Sequence, residues 1–120
     1  MIAFPNVIDG RVLDSGERAP NVNPSNLQDV IGEFAVATPA DVHAAIAAAR
    51  RAFAAWSQTN PQVRFDILDK AGTEILARKE ELGRMLAREN GKPLAEGVGE
   101  AGRAGAIVKF FAGEALRNAG

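Results

Sequence analysis

A helix stop and a helix start lie within five residues of each other, at Glu89-Asn90-Gly91-Lys92-Pro93, and this stretch constrains the fold most strongly. Gly91 can adopt a positive φ without Cβ strain, which is the conformation that ends many helices. Pro93 cannot continue that helix, but its fixed φ suits the first turn of a new one. The stretch therefore predicts a corner between two helices, and it contains no group that could carry out a reaction alone.

Turn-forming and aliphatic residues dominate the first 37 positions, which predicts a β segment. Asp9-Gly10 is a preferred pair for a type I′ turn, and the aliphatic residues on either side of it predict a tight hairpin over 7–13. Residues 20–26 contain two prolines and three asparagines and predict a turn-rich connection. Residues 30–37 are mostly apolar and predict a further strand.

From Thr38 onwards the spacing of apolar residues becomes helical. Thr38 is a suitable N-cap, Pro39 suits the first helical position, and Asp41 falls beside the positive end of the helix dipole. The residues 78–81, Arg-Lys-Glu-Glu, are either a break between two helices or a solvated face of one. The predicted buried faces are Val42, Ile46, Ala49, Phe53 and Trp56 in a helix ending near Ser57; Phe65, Leu68, Ala71, Ile75 and Leu76 in a helix starting at Asn60-Pro61; Leu82, Met85 and Leu86 before Gly91; and Leu94, Val98, Ala101, Gly105, Val108, Ala112 and Ala115 in a last helix over 93–116.

Five glycines, at 97, 99, 102, 105 and 113, lie inside the last predicted helix. Each costs roughly 0.8–1 kcal/mol relative to alanine in a helix interior. We therefore expect this helix to depend on close packing against its neighbours. The fold class predicted for the whole chain is α+β and mostly helical, with a β-hairpin and strand over 1–37 followed by three or four helices over 38–120.

Composition excludes several classes of function. The net charge is −1, with 14 basic and 15 acidic side chains, so we expect neither nucleic acid nor an anionic membrane as a partner. No apolar run approaches the ~20 residues that span a bilayer, and we expect no signal peptide. The chain has no cysteine and one histidine, which excludes disulfides, thiol nucleophiles and a His-rich metal site. The lack of cysteine fits a reducing cytoplasm.

One stretch, Gly97-Val98-Gly99-Glu100-Ala101-Gly102, matches the dinucleotide-binding pattern G-x-G-x-x-G letter for letter. That motif must follow a strand and open a helix, so that its amides point at a pyrophosphate. Here it follows the start of a helix, and Glu96 and Glu100 would repel a phosphate. We interpret it as a chance match on a small-residue helix, and we assign no cofactor-binding residue.

His43 and the glutamates are the other titratable candidates. His43 lies in the first turns of a helix without an identifiable catalytic partner, which favours an ordinary surface position. Glu96–Glu100 and Glu100–Arg103 have the spacing of neighbours on one helix face, and such residues are usually solvated or paired. We therefore assign no catalytic residue and no metal ligand.

Arg103 and four aromatic residues are the other candidates for a binding site. Arg103 projects among small and apolar neighbours, where it either pairs with an anionic ligand in a groove or extends to solvent as a surface arginine. Phe53, Trp56 and Phe110-Phe111 could be stacking platforms, but without a surplus of basic residues we expect them to pack in the core.

Short motifs stand in a fixed order along the chain. They are Ile8-Asp9-Gly10, Asn23-Pro24, Val30-Ile31-Gly32, Ala37-Thr38, Asp41-Val42, Ala52-Phe53-Ala54-Ala55-Trp56, Arg64, Leu68, Glu89-Asn90-Gly91-Lys92-Pro93, Glu96 and Phe110-Phe111-Ala112-Gly113-Glu114. In this order they resemble the N-terminal segment of the NAD(P)-dependent aldehyde dehydrogenase superfamily. The residues Asn23-Pro24-Ser25-Asn26 and 73–78 are most similar to the 2-oxoglutarate semialdehyde (2,5-dioxopentanoate) dehydrogenase branch.

The resemblance implies a cytoplasmic, oligomeric oxidoreductase that uses NAD or NADP. In the family a cysteine thiolate attacks the aldehyde, and a glutamate-activated water hydrolyses the thioester. Those residues and the nucleotide-binding turn lie downstream of the matched segment, so we expect this chain to bind no cofactor and to be inactive alone. The resemblance also places the helix over 93–116 at the substrate entrance, where Arg103 would meet the carboxylate of an acidic semialdehyde.

Two interpretations of the chain follow. In the first, it is a truncated N-terminal portion of an aldehyde dehydrogenase, an incomplete domain whose exposed helix faces bind the remainder of the enzyme or another copy. In the second, it is a stand-alone, non-catalytic helical interaction module that has kept the scaffold and lost the enzyme.

Overall fold

The computed structural model describes residues 2–13 and 16–117, and over these residues five short strands precede four helices. The predicted class, a mostly helical α+β segment with its strands first, is confirmed. The chain divides between Gln58 and Thr59 into two compact units. The strands are β1 (Ile2–Phe4), β2 (Asn6–Ile8), β3 (Arg11–Leu13), β4 (Arg18–Val22) and β5 (Val30–Ala35), and the helices are α1 (Pro39–Trp56), α2 (Pro61–Ala77), α3 (Lys79–Asn90) and α4 (Leu94–Arg117).

The predicted hairpin is present in the first unit as β2 and β3. The two strands are antiparallel, and Val7 lies opposite Val12. Asp9 and Gly10 form the turn with φ values of 57° and 70°. Positive φ at both central residues is the requirement of a type I′ turn, so the Asp-Gly signal identified the turn correctly.

A three-stranded sheet with the order β1-β5-β4 was predicted only in part. Its central strand β5 is the predicted strand, ending at Ala35, and it runs parallel to β1 and antiparallel to β4. The prediction of a turn-rich stretch was wrong over residues 20–22, which belong to β4. Pro20 is tolerated there because β4 is an edge strand, so its missing N–H interrupts no ladder on the outer side.

Helix α1 begins as predicted, but its predicted buried face is wrong. Ala48 is the buried residue of α1, whereas Ile46 and Phe53 are 52% and 67% exposed. The physical reason is that α1 turns its alanines towards Val7 and Ile8 of the hairpin. At 100° per residue Ile46 and Phe53 lie on the side of the helix away from Ala48. The large apolar side chains therefore have no covering layer within the described unit.

The second unit contains α2, α3 and α4, with α4 packed against both other helices. The charged residues 78–81 prove to be a break, since α2 ends at Ala77 and α3 begins at Lys79. Arg78 leaves helical geometry with φ −104° and ψ 13°, and its guanidinium donates to both carboxylate oxygens of Glu81 at 2.9 and 2.6 Å. The break lets α2 and α3 contact different turns of α4.

Two of the five α4 glycines support the expected close packing. Gly97 lies against the carbonyl oxygen of Gly83 in α3, and a Cβ built on it would collide there. A Cβ on Gly105 would lie 2.8 Å from Cγ of Leu76 and 3.1 Å from the carbonyl oxygen of Gly72. Along the predicted buried face Ala101, Gly105 and Ala112 are buried, whereas Leu94 is 44% exposed.

Candidate functional site

The corner between α3 and α4 has the predicted geometry. Asn90 is the last residue of α3, and Gly91 follows with φ 65° and ψ 28°, the left-handed conformation of a helix C-cap. The amide of Lys92 donates to the carbonyl of Ala87 at 3.0 Å, and α4 begins directly after Pro93. The sequence feature that constrained the fold is therefore a rigid turn that sets the direction of α4.

An ion pair joins the turn after α3 to the first turns of α4. Nζ of Lys92 lies 2.8 and 2.9 Å from the two carboxylate oxygens of Glu100, and the Lys92 side chain is only 20% exposed. Helical spacing makes Arg103 a neighbour of Glu100, but the ion pair of Glu100 is with Lys92. The turn at Gly91 brings a lysine from eight residues upstream onto the first turns of α4, a pairing outside the helical spacing rules.

The G-x-G-x-x-G stretch lies wholly inside α4. Gly97 and Ala101 are buried, and Gly97 is packed on α3. A dinucleotide site needs this motif in a turn between a strand and a helix, with free amides. The described residues therefore do not fit an NAD(P) site at this motif, and no cofactor can be assigned to it.

Arg103 lies exposed on the outer side of α4. Within residues 2–13 and 16–117 its guanidinium forms no hydrogen bond or ion pair. Ala106 and Phe110 continue the same face of the helix, and both are exposed. The arrangement offers an uncommitted guanidinium on an apolar surface, which is suited to a carboxylate.

A polar cluster that the sequence did not predict fastens α4 to α2. Nζ of Lys109 lies 2.5 Å from Oδ1 of Asp69 and 2.9 Å from Oγ1 of Thr73. Both carboxylate and lysine are about one-third exposed. The partners are 40 and 36 residues apart in the chain, so no local spacing could have revealed them. The cluster therefore connects α4 to α2.

The remaining candidates lie at the surface. His43 is exposed in α1. The expectation that Phe110 and Phe111 pack in the core is wrong: they are 60% and 57% exposed, although their rings form a T-shaped pair with centroids 5.3 Å apart. The same expectation is wrong for Phe53 and Trp56, which are 67% and 46% exposed. These aromatic residues lie outside the small cores of the two units.

The described part of the chain holds no group of three or more His, Cys, Asp or Glu that could bind a metal ion. No helix in residues 2–13 and 16–117 combines the length and apolar character needed to cross a bilayer.

Comparison with known proteins gives one consistent result. Residues 12–120 match the sequence pattern of the aldehyde dehydrogenase family. A 1-pyrroline-5-carboxylate dehydrogenase of Bacillus licheniformis is 31% identical over 110 residues, which are 92% of this chain and 21% of that protein.

Solved structures agree with the sequence match. An NAD-dependent aldehyde dehydrogenase of Sinorhizobium meliloti superposes with a TM-score of 0.90 at 33% identity, covering 94% of this chain and 23% of that one. A Thermus 1-pyrroline-5-carboxylate dehydrogenase with bound NAD gives 0.91 at 34% identity, covering 96% and 22%. The chain thus spans about a fifth of the length of the proteins it matches.

Proposed function

Because the chain belongs to the aldehyde dehydrogenase family, we propose that it forms the N-terminal structural segment of an enzyme that oxidises an aldehyde to a carboxylic acid with NAD(P). The observation that carries this proposal is the match over residues 12–120, supported by the similar folds of two NAD-linked proteins. The proposal includes a cytoplasmic location, as the family resemblance implies.

The chain's part in such an enzyme is structural, and alone it is inactive. The thiolate that attacks the aldehyde must come from another segment, because these 120 residues contain no cysteine. In the complete enzyme, bound NAD(P) would supply the hydride acceptor. The residues of this chain supply the rigid corner at Gly91 and the closely packed α4 beside it.

The exposed apolar side chains fit a segment that is covered in a larger protein. Ile46, Phe53, Phe110 and Phe111 are each about half exposed or more. Exposed side chains of this size, grouped on a helix face, mark a surface that binds another protein segment. We propose that the remainder of the aldehyde dehydrogenase covers them, and that another copy of the chain does so when the remainder is missing.

The substrate we propose is an aldehyde with a distal carboxylate. The 2-oxoglutarate semialdehyde suggested by the sequence and the glutamate semialdehyde formed when 1-pyrroline-5-carboxylate opens share that carboxylate and differ at the neighbouring carbon. The relatives are named for 1-pyrroline-5-carboxylate. Arg103, whose guanidinium is uncommitted within the described residues, would bind the carboxylate at the substrate entrance.

A chimeric enzyme tests this proposal. The segment of the Thermus 1-pyrroline-5-carboxylate dehydrogenase that matches this chain is replaced by this chain, and NADH formation from 1-pyrroline-5-carboxylate is followed. We expect a folded, NADH-forming chimera, since the two folds agree with a TM-score of 0.91. A folded chimera that forms no NADH would contradict the proposal and favour the stand-alone interaction module.

The role of Arg103 is tested in the same chimera by Arg103→Ala, with Arg84→Ala on α3 as the matched surface control. We expect a KM at least about tenfold higher for the acidic aldehyde and little change in kcat, because binding to a charged partner is lost. The KM for an uncharged aldehyde should stay the same. An unchanged KM for the acidic aldehyde would remove Arg103 from the substrate entrance.

A further inference from the structure

The corner between α3 and α4 places an exposed side-chain amide, that of Asn90, directly before a glycine. The amide of an asparagine is chemically labile, because the main-chain nitrogen of the next residue can attack it and close a five-membered ring. A side chain on the next residue crowds that nitrogen, and glycine has none. Within the described residues, the side chain of Asn90 forms no hydrogen bond that would hold it away from this nitrogen.

The other six asparagines of the chain lack this combination. Two of them precede a proline, whose nitrogen carries no hydrogen and therefore cannot close the ring. Three precede a large branched side chain, and one precedes an alanine. They are, in that order, Asn23 and Asn60; Asn6, Asn21 and Asn26; and Asn118. The sequence thus distinguishes Asn90 from every other asparagine as a site for this reaction.

The fold holds the attacking nitrogen in a hydrogen bond. The amide of Gly91 donates to the carbonyl of Ala87, which also accepts from the amide of Lys92 at 3.0 Å. Closure of the ring would in addition take ψ of Asn90 far outside the helical value of about −42°. The reaction therefore requires the last turn of α3 to open, and helix ends open locally at a small cost in free energy.

The reaction needs no reagent except water. The Gly91 nitrogen gives its proton to the solvent and bonds to Cγ of Asn90, while the Cγ–Nδ2 bond breaks and the leaving nitrogen takes up a proton to depart as ammonia. Water then opens the cyclic imide at one of its two carbonyls, which gives aspartate or isoaspartate. We propose that Asn90 is a modification site of this chain, at which this deamidation proceeds whenever the corner between α3 and α4 opens.

Both products weaken the corner. Aspartate at position 90 puts a negative charge beside the negative end of the α3 dipole. Isoaspartate adds one carbon atom to the main chain before Gly91, so the amides of Gly91 and Lys92 no longer both reach the Ala87 carbonyl. The proposal goes beyond the proposed function and does not depend on the chain having an enzymatic parent.

Peptide mass spectrometry of the purified 120-residue chain, aged in mildly alkaline buffer, is the first test. We expect the mass change from amide to acid at Asn90, at a rate about tenfold or more below that of the same chain unfolded in guanidinium chloride, because the native corner must open first. Asn90→Gln would have to close a six-membered ring and should show no change at this position over the same period.

Two results of this test would overturn the proposal. A rate in the native chain equal to that in the unfolded chain would remove the requirement for opening. The absence of any mass change at Asn90 in the native chain after about a hundred half-times of the unfolded chain would remove the modification site itself.

The effect of the new charge is tested by Asn90→Asp, with Asn60→Asp as the matched control. Asn60 is an exposed N-cap that accepts from the amide of Gln62, and an aspartate there can accept in the same way. In urea denaturation we expect Asn90→Asp to lower the folding equilibrium constant about two- to fivefold, whereas Asn60→Asp should leave it unchanged or raise it. An equal loss in both variants, or no loss in Asn90→Asp, would overturn the proposed weakening of the corner.

Discussion

At the scale of single residues, the start of α1 shows how two side chains fix a helix end. The hydroxyl of Thr38 accepts from the amide of Asp41 at 3.2 Å, and the Asp41 carboxylate accepts from the amide of Thr38 at 2.8 Å. This reciprocal capping box satisfies two amides that the helix leaves without partners. It also separates the β segment from the helical part of the chain.

Removal of the cap should destabilise α1. We expect Thr38→Ala to lower the free energy of unfolding by about 1 kcal/mol, because the amide of Asp41 loses its acceptor. Thr38→Ser retains the hydroxyl and should stay close to the original chain. Urea denaturation followed by far-UV circular dichroism measures both, and equal stability of the alanine and serine variants would contradict the assignment.

Acid should weaken the same cap. Hydrogen bonds from the amide and hydroxyl of Thr38 hold the pKa of Asp41 below its ordinary value of 3.8. The contribution of Asp41 to stability is therefore fully present above pH 3.8 and is lost as the pH falls through the lowered pKa. We expect the stability difference between the chain and Asp41→Asn to shrink below that pH; a difference that grows on acidification would have the wrong sign.

At this scale, helix caps and tight turns could be predicted from the sequence, whereas contacts between residues far apart in the chain could not. Thr38-Pro39 with Asp41, and Asp9-Gly10, act through neighbours within a few residues, so their structure follows from their order. The Lys109–Asp69 contact joins residues 40 positions apart and depends on how α4 lies on α2. The Lys92–Glu100 contact depends on the turn between them, which the helical spacing rules do not describe.

At the scale of the elements, the position of α4 depends on glycines that face glycines. Gly97 meets Gly83, and Gly105 meets Gly72, so the backbones of the helices approach where no side chain intervenes. Periodicity located most of this buried face correctly. Periodicity did not predict the buried face of α1. The spacing of apolar residues identifies an apolar helix face, but it does not show whether the residues that cover this face lie in the same segment.

Substitutions at two α4 glycines should have opposite effects on stability. Gly105→Val places atoms against Leu76 and the Gly72 carbonyl, and we expect a loss of about 1–3 kcal/mol. Gly102→Ala meets no close atom and should gain about 0.8–1 kcal/mol from its higher helix propensity. Thermal and urea unfolding of both variants measure these changes; a destabilised Gly102→Ala would contradict the open surface described for that position.

At the scale of the whole molecule, each of the two units has a small core and exposed apolar side chains, and the two features have the same cause. The buried apolar residues of the described chain are Ile31 and five alanines, and none of its large side chains is fully buried. Such cores are marginal for a chain of this length. We propose that the remainder of an aldehyde dehydrogenase supplies the missing layers, since this chain spans about a fifth of the length of such a protein.

The most direct test of that claim is NADH formation in a mixture of this chain with a relative that lacks the matching segment. The Thermus 1-pyrroline-5-carboxylate dehydrogenase without that segment supplies the complementary part, and Gly105→Val in this chain supplies a packing-defective control. We expect no NADH from either part alone, NADH from the mixture, and a lower yield with the control. NADH from this chain alone, or none from a mixture in which the two parts bind each other, would contradict that claim.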